Sequence, residues 1–391
     1  MTPAARLQAA IEILDLVVDS AREDGPPADA IVTRYFKTRR YAGSKDRRAV
    51  RELVFRAIRR TAERPDTGRE AMLGLCHDEA ELRELFGQPR GPAPIVNAEA
   101  GSAAGTVPQW LVPELSPLVT PEEWPALLER APLDLRANVA RTTRAAMLDT
   151  FESSEPTPLS PWGLRLAPDS RVDESEAYRS GLVEIQDEGS QLIALACDPK
   201  PDARILDLCA GAGGKSLALA AAAPTATILA TDSNRGRLSK LPPRAERSGA
   251  AIETRLLNPP REPEQLDDWS GTADVVLVDT PCSGSGTWRR NPEARWRLTP
   301  ERLKRLVEVQ RRLLAMGAEI VRPGGALVYA VCSLLTREGA GQIDSFLGSR
   351  SHWVAQDMLE GAGRLDGNGR LLTPGHDSTD GFFIARLVKP C

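Results

Sequence analysis

The sequence contains few of the residues that build metal sites and disulfide frameworks. Its 391 residues include only three histidines and six cysteines, and no two cysteines form a Cys-x-x-Cys pair. This scatter argues against a zinc site and against the disulfide framework of a secreted protein. We therefore expect no bound metal and a reducing, cytoplasmic compartment. The cysteines are Cys76, Cys197, Cys209, Cys282, Cys332 and Cys391.

Long apolar segments and an excess of positive charge are also absent. No uninterrupted apolar stretch approaches the ~20 residues needed to cross a bilayer. The first residues lack the charged start and apolar core of a signal peptide, so we expect no membrane partner. Because the formal net charge is −4, any nucleic acid must bind a local basic patch. We expect the protein to be a monomer.

The order of sequence patterns predicts several domains. Apolar residues at helical spacing favour a helical domain over residues 1–65. Residues 66–132, rich in glycine and proline, are interpreted as a connector with short helices, and residues 133–186 as a small α+β module. From residue 187 to 391 strands and helices alternate, which is typical of α/β domains with a doubly wound, mostly parallel sheet.

The stretch from Ala273 to Gly286 is the organising feature of that α/β domain. Its apolar run reads as a buried strand that ends in Asp279, followed by Pro281-Cys282 and a Ser/Gly-rich loop. Ligands of open α/β sheets bind at the carboxyl ends of strands, although a buried strand followed by an ordinary turn would look the same. A second strand ends before Cys332. A lone cysteine is more often a small buried apolar residue, but two at neighbouring strand ends favour catalysis.

A glycine-rich loop follows the first strand of this domain. A nucleotide P-loop is excluded because Cys209 stands where its first glycine belongs, and a dinucleotide fingerprint is excluded because Ser216 replaces its third glycine. An acid, Asp207, ahead of such a loop suits a cationic cofactor without phosphate, such as S-adenosylmethionine. Asp232, at the end of the next strand, is placed to bind ribose hydroxyls. A structural role for Asp207 and a helix N-cap role for Asp232 remain as alternatives.

Two thiols suit methylation of cytosine at carbon 5. That carbon is a poor nucleophile until a thiolate adds to carbon 6, after which it accepts a methyl group. An acid near ring nitrogen 3 stabilises the adduct by protonation, and a second thiol assists release of the product.

With these motifs in order, the chain resembles RNA cytosine-5 methyltransferases of the Sun/RsmB type over roughly residues 133–389. A weaker resemblance, of the helical domain over residues 1–65 and most evident in residues 43–54, is to the N-terminal NusB-like RNA-binding domain. The residues that carry the main resemblance are Gln186–Gln191, Asp207–Lys215, Asp279–Gly286, Arg289–Glu293, Cys332–Ser333 and Asp380–Phe383.

The resemblance implies a class I S-adenosylmethionine-dependent methyltransferase domain and a role for each motif. It implies Cys332 as the nucleophile, Cys282 as the helper in product release and Asp279 beside the target base. DNA cytosine-5 enzymes attack with the cysteine of their Pro-Cys motif, so these roles rest on the resemblance and not on spacing. The implied cofactor-binding residues are Cys209, Ala210, Gly211, Ala212, Gly213, Gly214, Lys215, Asp232, Asn258 and Asp279.

The chain departs from the family pattern at several of these positions. Gly211-Ala212 replaces the usual Ala-Pro, Val331 replaces a threonine before the nucleophile, and Gly339 replaces an asparagine that usually follows the glutamate. Asn258 stands where the family has an acid on the adenine side. An amide can still hydrogen-bond there, but it carries no charge.

Two basic segments are candidate RNA-binding surfaces. Arg289 and Arg290 lie in a loop in which arginines alternate with Trp288 and Trp296, a pattern suited to phosphates and stacked bases. Lys45, Arg47 and Arg48 lie near three aromatic residues, Tyr35, Phe36 and Tyr41. A solvated basic surface is the alternative for both segments.

The sequence thus predicts methyl transfer from S-adenosylmethionine to carbon 5 of a cytidine in structured RNA, expected to be ribosomal RNA. The alternatives are a tRNA or DNA cytosine-5 methyltransferase and a non-catalytic RNA-binding assembly factor. Retention of both Cys282 and Cys332 argues against the last.

Overall fold

A computed structural model of the chain describes residues 1–23, 25–96 and 99–391. They form two compact units, and each contains more than one stretch of the chain. The smaller unit comprises Met1–Leu115, Pro121–Glu129 and Ser283–Arg302; the larger comprises Ser116–Thr120, Arg130–Cys282 and Leu303–Cys391. In the described residues, no helix is long and apolar enough to cross a membrane.

Four α-helices build the smaller unit. The first begins where Thr2 accepts a hydrogen bond from the backbone of Ala5 and Pro3 occupies the first turn, a favourable start because proline has no N–H to leave unpaired. The fourth packs closely on the first, since a Cβ at Gly68 would lie 2.4 Å from the Ile11 carbonyl oxygen. The helices are α1 (Pro3–Arg22), α2 (Ala28–Lys37), α3 (Ser44–Arg60) and α4 (Gly68–Asp78).

The core of the smaller unit extends beyond the helical domain that the sequence predicted over residues 1–65. Helix α4, inside the segment interpreted as a connector, places Ala71, Met72 and Leu75 in the same apolar core as α1 and α3. Residue 65 is therefore not a boundary between compact units. Trp296, far along the chain, is buried in that core as well. Short 3₁₀ helices complete the unit: Ala80–Leu85, Gln109–Glu114, Pro121–Leu127, Ser285–Thr287 and Pro292–Arg297.

A small antiparallel sheet opens the larger unit. Its strand order is β2-β3-β1-β4, with an apolar core of its own that includes Leu135, Leu164 and Val183. Residues 133–186, interpreted as a small α+β module, contain both helices and strands, but they lie in the same compact unit as the main sheet. The elements are β1 (Leu133–Ala137), α5 (Arg144–Thr150), β2 (Glu155–Pro156), β3 (Gly163–Leu166), α6 (Glu176–Arg179) and β4 (Val183–Ile185); a 3₁₀ helix spans Val172–Glu174.

The main sheet has nine strands in the order β11-β12-β13-β9-β8-β5-β6-β7, with β10 paired to β13. Strands β5 to β9 are parallel, and β10 to β13 form an antiparallel extension. This confirms the predicted fold class. The strands are β5 (Arg204–Asp207), β6 (Thr227–Asp232), β7 (Glu253–Leu256), β8 (Ala273–Asp279), β9 (Val321–Val331), β10 (Val354–Gln356), β11 (Arg364–Asp366), β12 (Gly369–Leu372) and β13 (Phe382–Val388).

Helices connect the strands of the main sheet, as parallel pairing requires. The longest, α12, starts in the smaller unit and continues in the larger. The helices are α7 (Glu188–Ala196), α8 (Gly214–Ala222), α9 (Arg235–Leu238), α10 (Leu241–Ser248), α11 (Glu262–Gln265), α12 (Pro300–Ile320), α13 (Ala340–Ser349) and α14 (Pro374–Asp377); a 3₁₀ helix spans Asp267–Trp269.

Candidate active site

Four neighbouring parallel strands end in the residues that the sequence singled out. Strands β9, β8, β5 and β6 are adjacent in the sheet, and their interiors are apolar runs such as Val275–Val278, buried on both faces. Polar residues follow as each strand ends, because only there does the backbone leave the apolar layer. The sheet therefore brings Asp207, Asp232, Asp279 and Cys332 to one edge.

The two cysteines meet at this edge. The Sγ atoms of Cys282 and Cys332 are 3.3 Å apart, and both side chains are partly exposed. Strands β8 and β9 pair in parallel up to Asp279 and Ala330, and the Thr280 backbone N–H continues the pairing by donating to the Ala330 carbonyl. Two thiols that are 50 residues apart in sequence are thereby brought into direct contact.

An ion pair lies at the same edge. The Lys215 ammonium donates to Asp279 Oδ2 at 2.6 Å, and its nitrogen lies 5.8 Å from the centre of the Phe382 ring. Burial alone would lower the pKa of Lys215, but the Asp279 carboxylate outweighs it and holds the pKa above its ordinary value. Lys215 therefore stays protonated at neutral pH, and it places a proton donor at a site that also holds two thiols.

The glycine-rich loop turns between β5 and α8. Gly211 and Gly213 have φ of 57° and 80°, a left-handed conformation that side chains disfavour. A Cβ at Gly213 would also lie 2.1 Å from Leu241 Cδ1. Around Gly211, by contrast, no atom lies within 4 Å of a Cβ position, so the loop backbone is accessible there. Burial raises the pKa of the neighbouring Cys209 thiol well above its ordinary value, which keeps Cys209 protonated and unreactive.

Asp207 is a buried carboxyl group beneath this loop. It is 1% exposed; its Oδ2 accepts a hydrogen bond from Ser216 Oγ at 2.6 Å. Within the part of the chain that the structure describes, its Oδ1 has no partner. Burial raises the pKa of Asp207 to about 7, although the Ser216 hydrogen bond opposes the shift.

Replacing Asp207 by asparagine is expected to change how stability depends on pH. An unfolded aspartate titrates near pH 3.8, and folded Asp207 near 7. Its stabilising contribution is therefore complete below the unfolded pKa and is lost as the pH rises to about 7. Asparagine does not titrate, so Asp207→Asn gains stability relative to wild type between pH 5 and pH 8. Urea unfolding of both proteins at the two pH values measures this; an equal difference at both contradicts the shifted pKa.

Asp232 receives hydrogen bonds from two backbone N–H groups. Its Oδ2 accepts from Gly211 at 2.8 Å and its Oδ1 from Asn234 at 2.6 Å. Asn234, and not Asp232, is the N-cap of α9, so the alternative of a helix cap does not explain Asp232. Arg237, which sequence reasoning missed, contacts both Asp232 oxygens at 3.3 and 3.4 Å. The sequence feature that could have indicated this contact is the position of Arg237 in the first turn of α9, just after Asp232.

Asn258 lies just after β7 in an exposed loop. Its backbone N–H donates to the Gln265 side chain, and its carbonyl accepts from Arg261. These bonds define the loop conformation. Cofactor binding by the Asn258 side chain stays a prediction.

The loop after Cys282 is not the stacking surface that its composition suggested. Trp288 is fully buried and Trp296 is 2% exposed, so neither ring is available to a base. Arg289, predicted to bind RNA, is 6% exposed, and the structure does not present it as a surface cation. Arg290 is partly buried. Trp296 instead packs in the apolar core of the smaller unit.

The basic residues in the first turns of α3 do lie on the surface. Lys45, Arg47 and Arg48 are exposed, and their RNA binding stays a prediction. The aromatic part of that prediction is wrong for Tyr35 and Phe36, which are buried in the helical core.

Comparisons with known proteins place this site in a family. The family model described as 16S rRNA methyltransferase RsmB/F matches residues 194–388. The ribosomal RNA small subunit methyltransferase B of Enterobacter sp. (strain 638) is 33% identical over 292 residues, 72% of this chain and 66% of that protein. The chain spans 62 to 66% of the length of several such curated relatives.

Solved structures agree on the fold. The crystal structure of PH0851 aligns with all of this chain over 99% of its own length, with a TM-score of 0.77 at 21% sequence identity. A methyltransferase homologue from Pyrococcus horikoshii, 26% identical, covers 71% of this chain and 92% of its own, with a TM-score of 0.61. On the family model and the curated relatives together, this chain belongs to the RsmB/F family of methyltransferases.

Proposed function

We propose that the protein is an S-adenosylmethionine-dependent methyltransferase that modifies carbon 5 of a cytidine in ribosomal RNA. The observation that most directly supports this proposal is the 3.3 Å contact between the Sγ atoms of Cys282 and Cys332, at the same edge as the Lys215–Asp279 ion pair. Two thiols beside a carboxylate suit the addition of a thiolate to carbon 6 of a pyrimidine, because one thiol can form the covalent bond while the carboxylate and the second thiol handle protons.

In this proposal each side chain of the site has its own role in the reaction. The Cys332 thiolate bonds through Sγ to carbon 6, and the electron pair of the 5,6 double bond becomes available at carbon 5. The Lys215–Asp279 pair supplies the proton that ring nitrogen 3 takes up. After methylation, Cys282 as a thiolate takes the proton on carbon 5, nitrogen 3 returns its proton to the Lys215–Asp279 pair, and the sulfur–carbon bond breaks as the double bond reforms, which frees the Cys332 thiolate. Cys282, in contact with the nucleophile, assists this release.

The residues around the glycine-rich loop fit the methyl donor. Asp207, Asp232 and Asp279 place three carboxyl groups at the edge, and a sulfonium cation is stabilised by such surroundings. The open space at Gly211 lets a ligand approach the loop backbone. Asp232 is placed to accept hydrogen bonds from ribose hydroxyls. S-Adenosylmethionine bound there supplies the methyl group.

Analysis of methylated nucleosides tests the proposal. Wild-type protein is incubated with 16S rRNA transcribed in vitro and S-adenosylmethionine carrying a labelled methyl group. We expect label in 5-methylcytidine after digestion to nucleosides. Transfer RNA and duplex DNA serve as competing substrates and separate the alternative targets. If no 5-methylcytidine appears in any of them, the non-catalytic, RNA-binding interpretation replaces this one.

Replacing Lys215 by methionine is expected to slow methyl transfer by about 100-fold, because the proton for ring nitrogen 3 is lost. Methionine keeps the apolar stem that lies near Phe382. Single-turnover rates with saturating RNA measure the effect, and Lys200→Met, at an exposed pair with Asp198, is the matched control. A rate within about twofold of wild type would exclude Lys215 from the chemistry.

A further inference from the structure

A buried polar network lies beneath the two cysteines. Glu338 Oε2 accepts a hydrogen bond from Ser333 Oγ at 2.6 Å, and Oε1 accepts from Gln310 Nε2 at 2.9 Å. The same Gln310 nitrogen donates to the Pro281 carbonyl oxygen at 3.0 Å. Tyr329 OH donates to the Glu338 backbone carbonyl at 2.6 Å. Ser333, Gln310 and Tyr329 therefore bond to Glu338 directly, and Gln310 connects it to Pro281.

The network ends next to both thiols. Ser333 directly follows Cys332, and Pro281 directly precedes Cys282. Glu338 thus connects to one cysteine through a single side chain and to the other through Gln310 of helix α12. The orientation of Gln310 is also set, since its Oε1 lies 3.4 Å from the Gln342 amide nitrogen.

The three side chains at the centre of this network are inaccessible to water. Ser333, Glu338 and Gln310 are each 0% exposed. Buried hydrogen bonds of this kind are strong and directional because no water competes for the donors. A simple apolar contact would fill the space but would not set the distance between two loops. The polar groups therefore restrict where both cysteines lie.

We propose that Glu338 is a positioning residue that holds Cys282 and Cys332 in reactive contact through Gln310 and Ser333. The inference rests on the proposed roles of the two cysteines. Glu338 itself touches neither RNA nor the methyl donor. Its contribution is to keep the nucleophile and the releasing thiol at the separation observed, and small displacements of reacting groups are costly to rate.

Disulfide formation measures thiol contact without any methylation. The oxidant diamide takes up two hydrogen atoms as two thiols become a disulfide, and peptide mapping follows the Cys282–Cys332 bond with time. The variants are Glu338→Ala, Glu338→Gln and Ser333→Ala. The matched control is Glu262→Ala, which removes another buried carboxyl group of the larger unit, bonded to Arg312. Circular dichroism confirms folding of each.

We expect Glu338→Ala to slow disulfide formation by about tenfold or more. Covalent trapping on 16S rRNA containing 5-azacytidine should slow similarly, with the KM for RNA within about twofold of wild type. Glu338→Gln keeps one acceptor oxygen, so its rates of disulfide formation and of covalent trapping should both lie close to those of wild type. Glu262→Ala should match wild type in both.

Equal rates of disulfide formation in wild type and folded Glu338→Ala would overturn the inference. If Glu338→Ala does not fold, Ser333→Ala decides by the same comparison, because it removes one hydrogen bond and little volume. A slowed disulfide in a protein that never traps RNA would support the positioning role and reject the proposed reaction. Normal trapping together with an unchanged disulfide rate would support the proposed reaction and reject the positioning role of Glu338.

Discussion

Cys332→Ala is expected to lose methyl transfer by a factor on the order of 10⁴ or more, because the attacking atom is gone. With RNA containing 5-azacytidine, wild type should form an adduct that survives denaturant, and Cys332→Ala should form none. Gel electrophoresis under denaturing conditions measures both. Of all the changes considered, this one has the largest expected effect on activity.

Cys282→Ala is the matched variant for that experiment. It removes a thiol from the same site and 3.3 Å away, but it leaves the proposed nucleophile in place. With ordinary RNA we expect this variant to accumulate adduct, since release is impaired while attack proceeds. If instead Cys282→Ala fails to crosslink and Cys332→Ala crosslinks, the two roles are exchanged, as in DNA cytosine-5 enzymes.

Trp296→Ala is expected to lower the free energy of unfolding of the smaller unit by about 3–5 kcal/mol, through loss of apolar contact and the cavity left behind. The ring is 2% exposed and packs in the helical core, and its Nε1 donates to the Thr61 carbonyl oxygen at 2.8 Å. Hydrogen exchange of α1 and α3 amides measures stability in this unit directly.

Trp296→Phe separates the two contributions at this position. Phenylalanine keeps an aromatic ring but loses the donor to Thr61, so a cost of about 1–3 kcal/mol is expected. If Trp296→Ala costs under about 1 kcal/mol, the side chain does not stabilise the core as its burial indicates.

The main sheet and the arrangement of its motifs were predictable from the sequence. Apolar runs such as Val275–Val278 mark strands buried on both faces, and alternation with helices imposes parallel pairing. Once the strands are parallel, residues that follow them share one edge. This rule alone predicts that Asp207, Asp279 and Cys332 lie close together.

The loop after Cys282 was not predictable in the same way. Alternating arginine and tryptophan suits an RNA surface and a buried insertion equally, and only the partners distinguish them. Arg295 is 1% exposed and donates to the carbonyls of Ile58 and Arg59 and of Thr106. Burial lowers its pKa to about 9. These partners are backbone carbonyl groups, which every residue has, so the amino-acid sequence does not indicate which residues Arg295 contacts.

The pairing of Glu338 with Ser333 and Gln310 escaped prediction for a related reason. Gln310 is one of several polar residues on a long amphipathic helix, and helical spacing only shows that it faces the core. Its bond to Pro281 depends on the position of that helix against the sheet. Polar residues at apolar positions of a helix are the signal that would have found it.

The inclusion of residues 283–302 in the smaller unit has a consequence for biosynthesis. The hydrogen bond from Trp296 to Thr61 spans 235 residues, so the core of helices α1 to α4 is complete only after strand β8 and the loop that follows it have been synthesised. Closing so long a loop slows folding. The first 115 residues, expressed alone, would expose the cavity that Trp296 fills. The helical unit is therefore completed only after most of the chain has been synthesised.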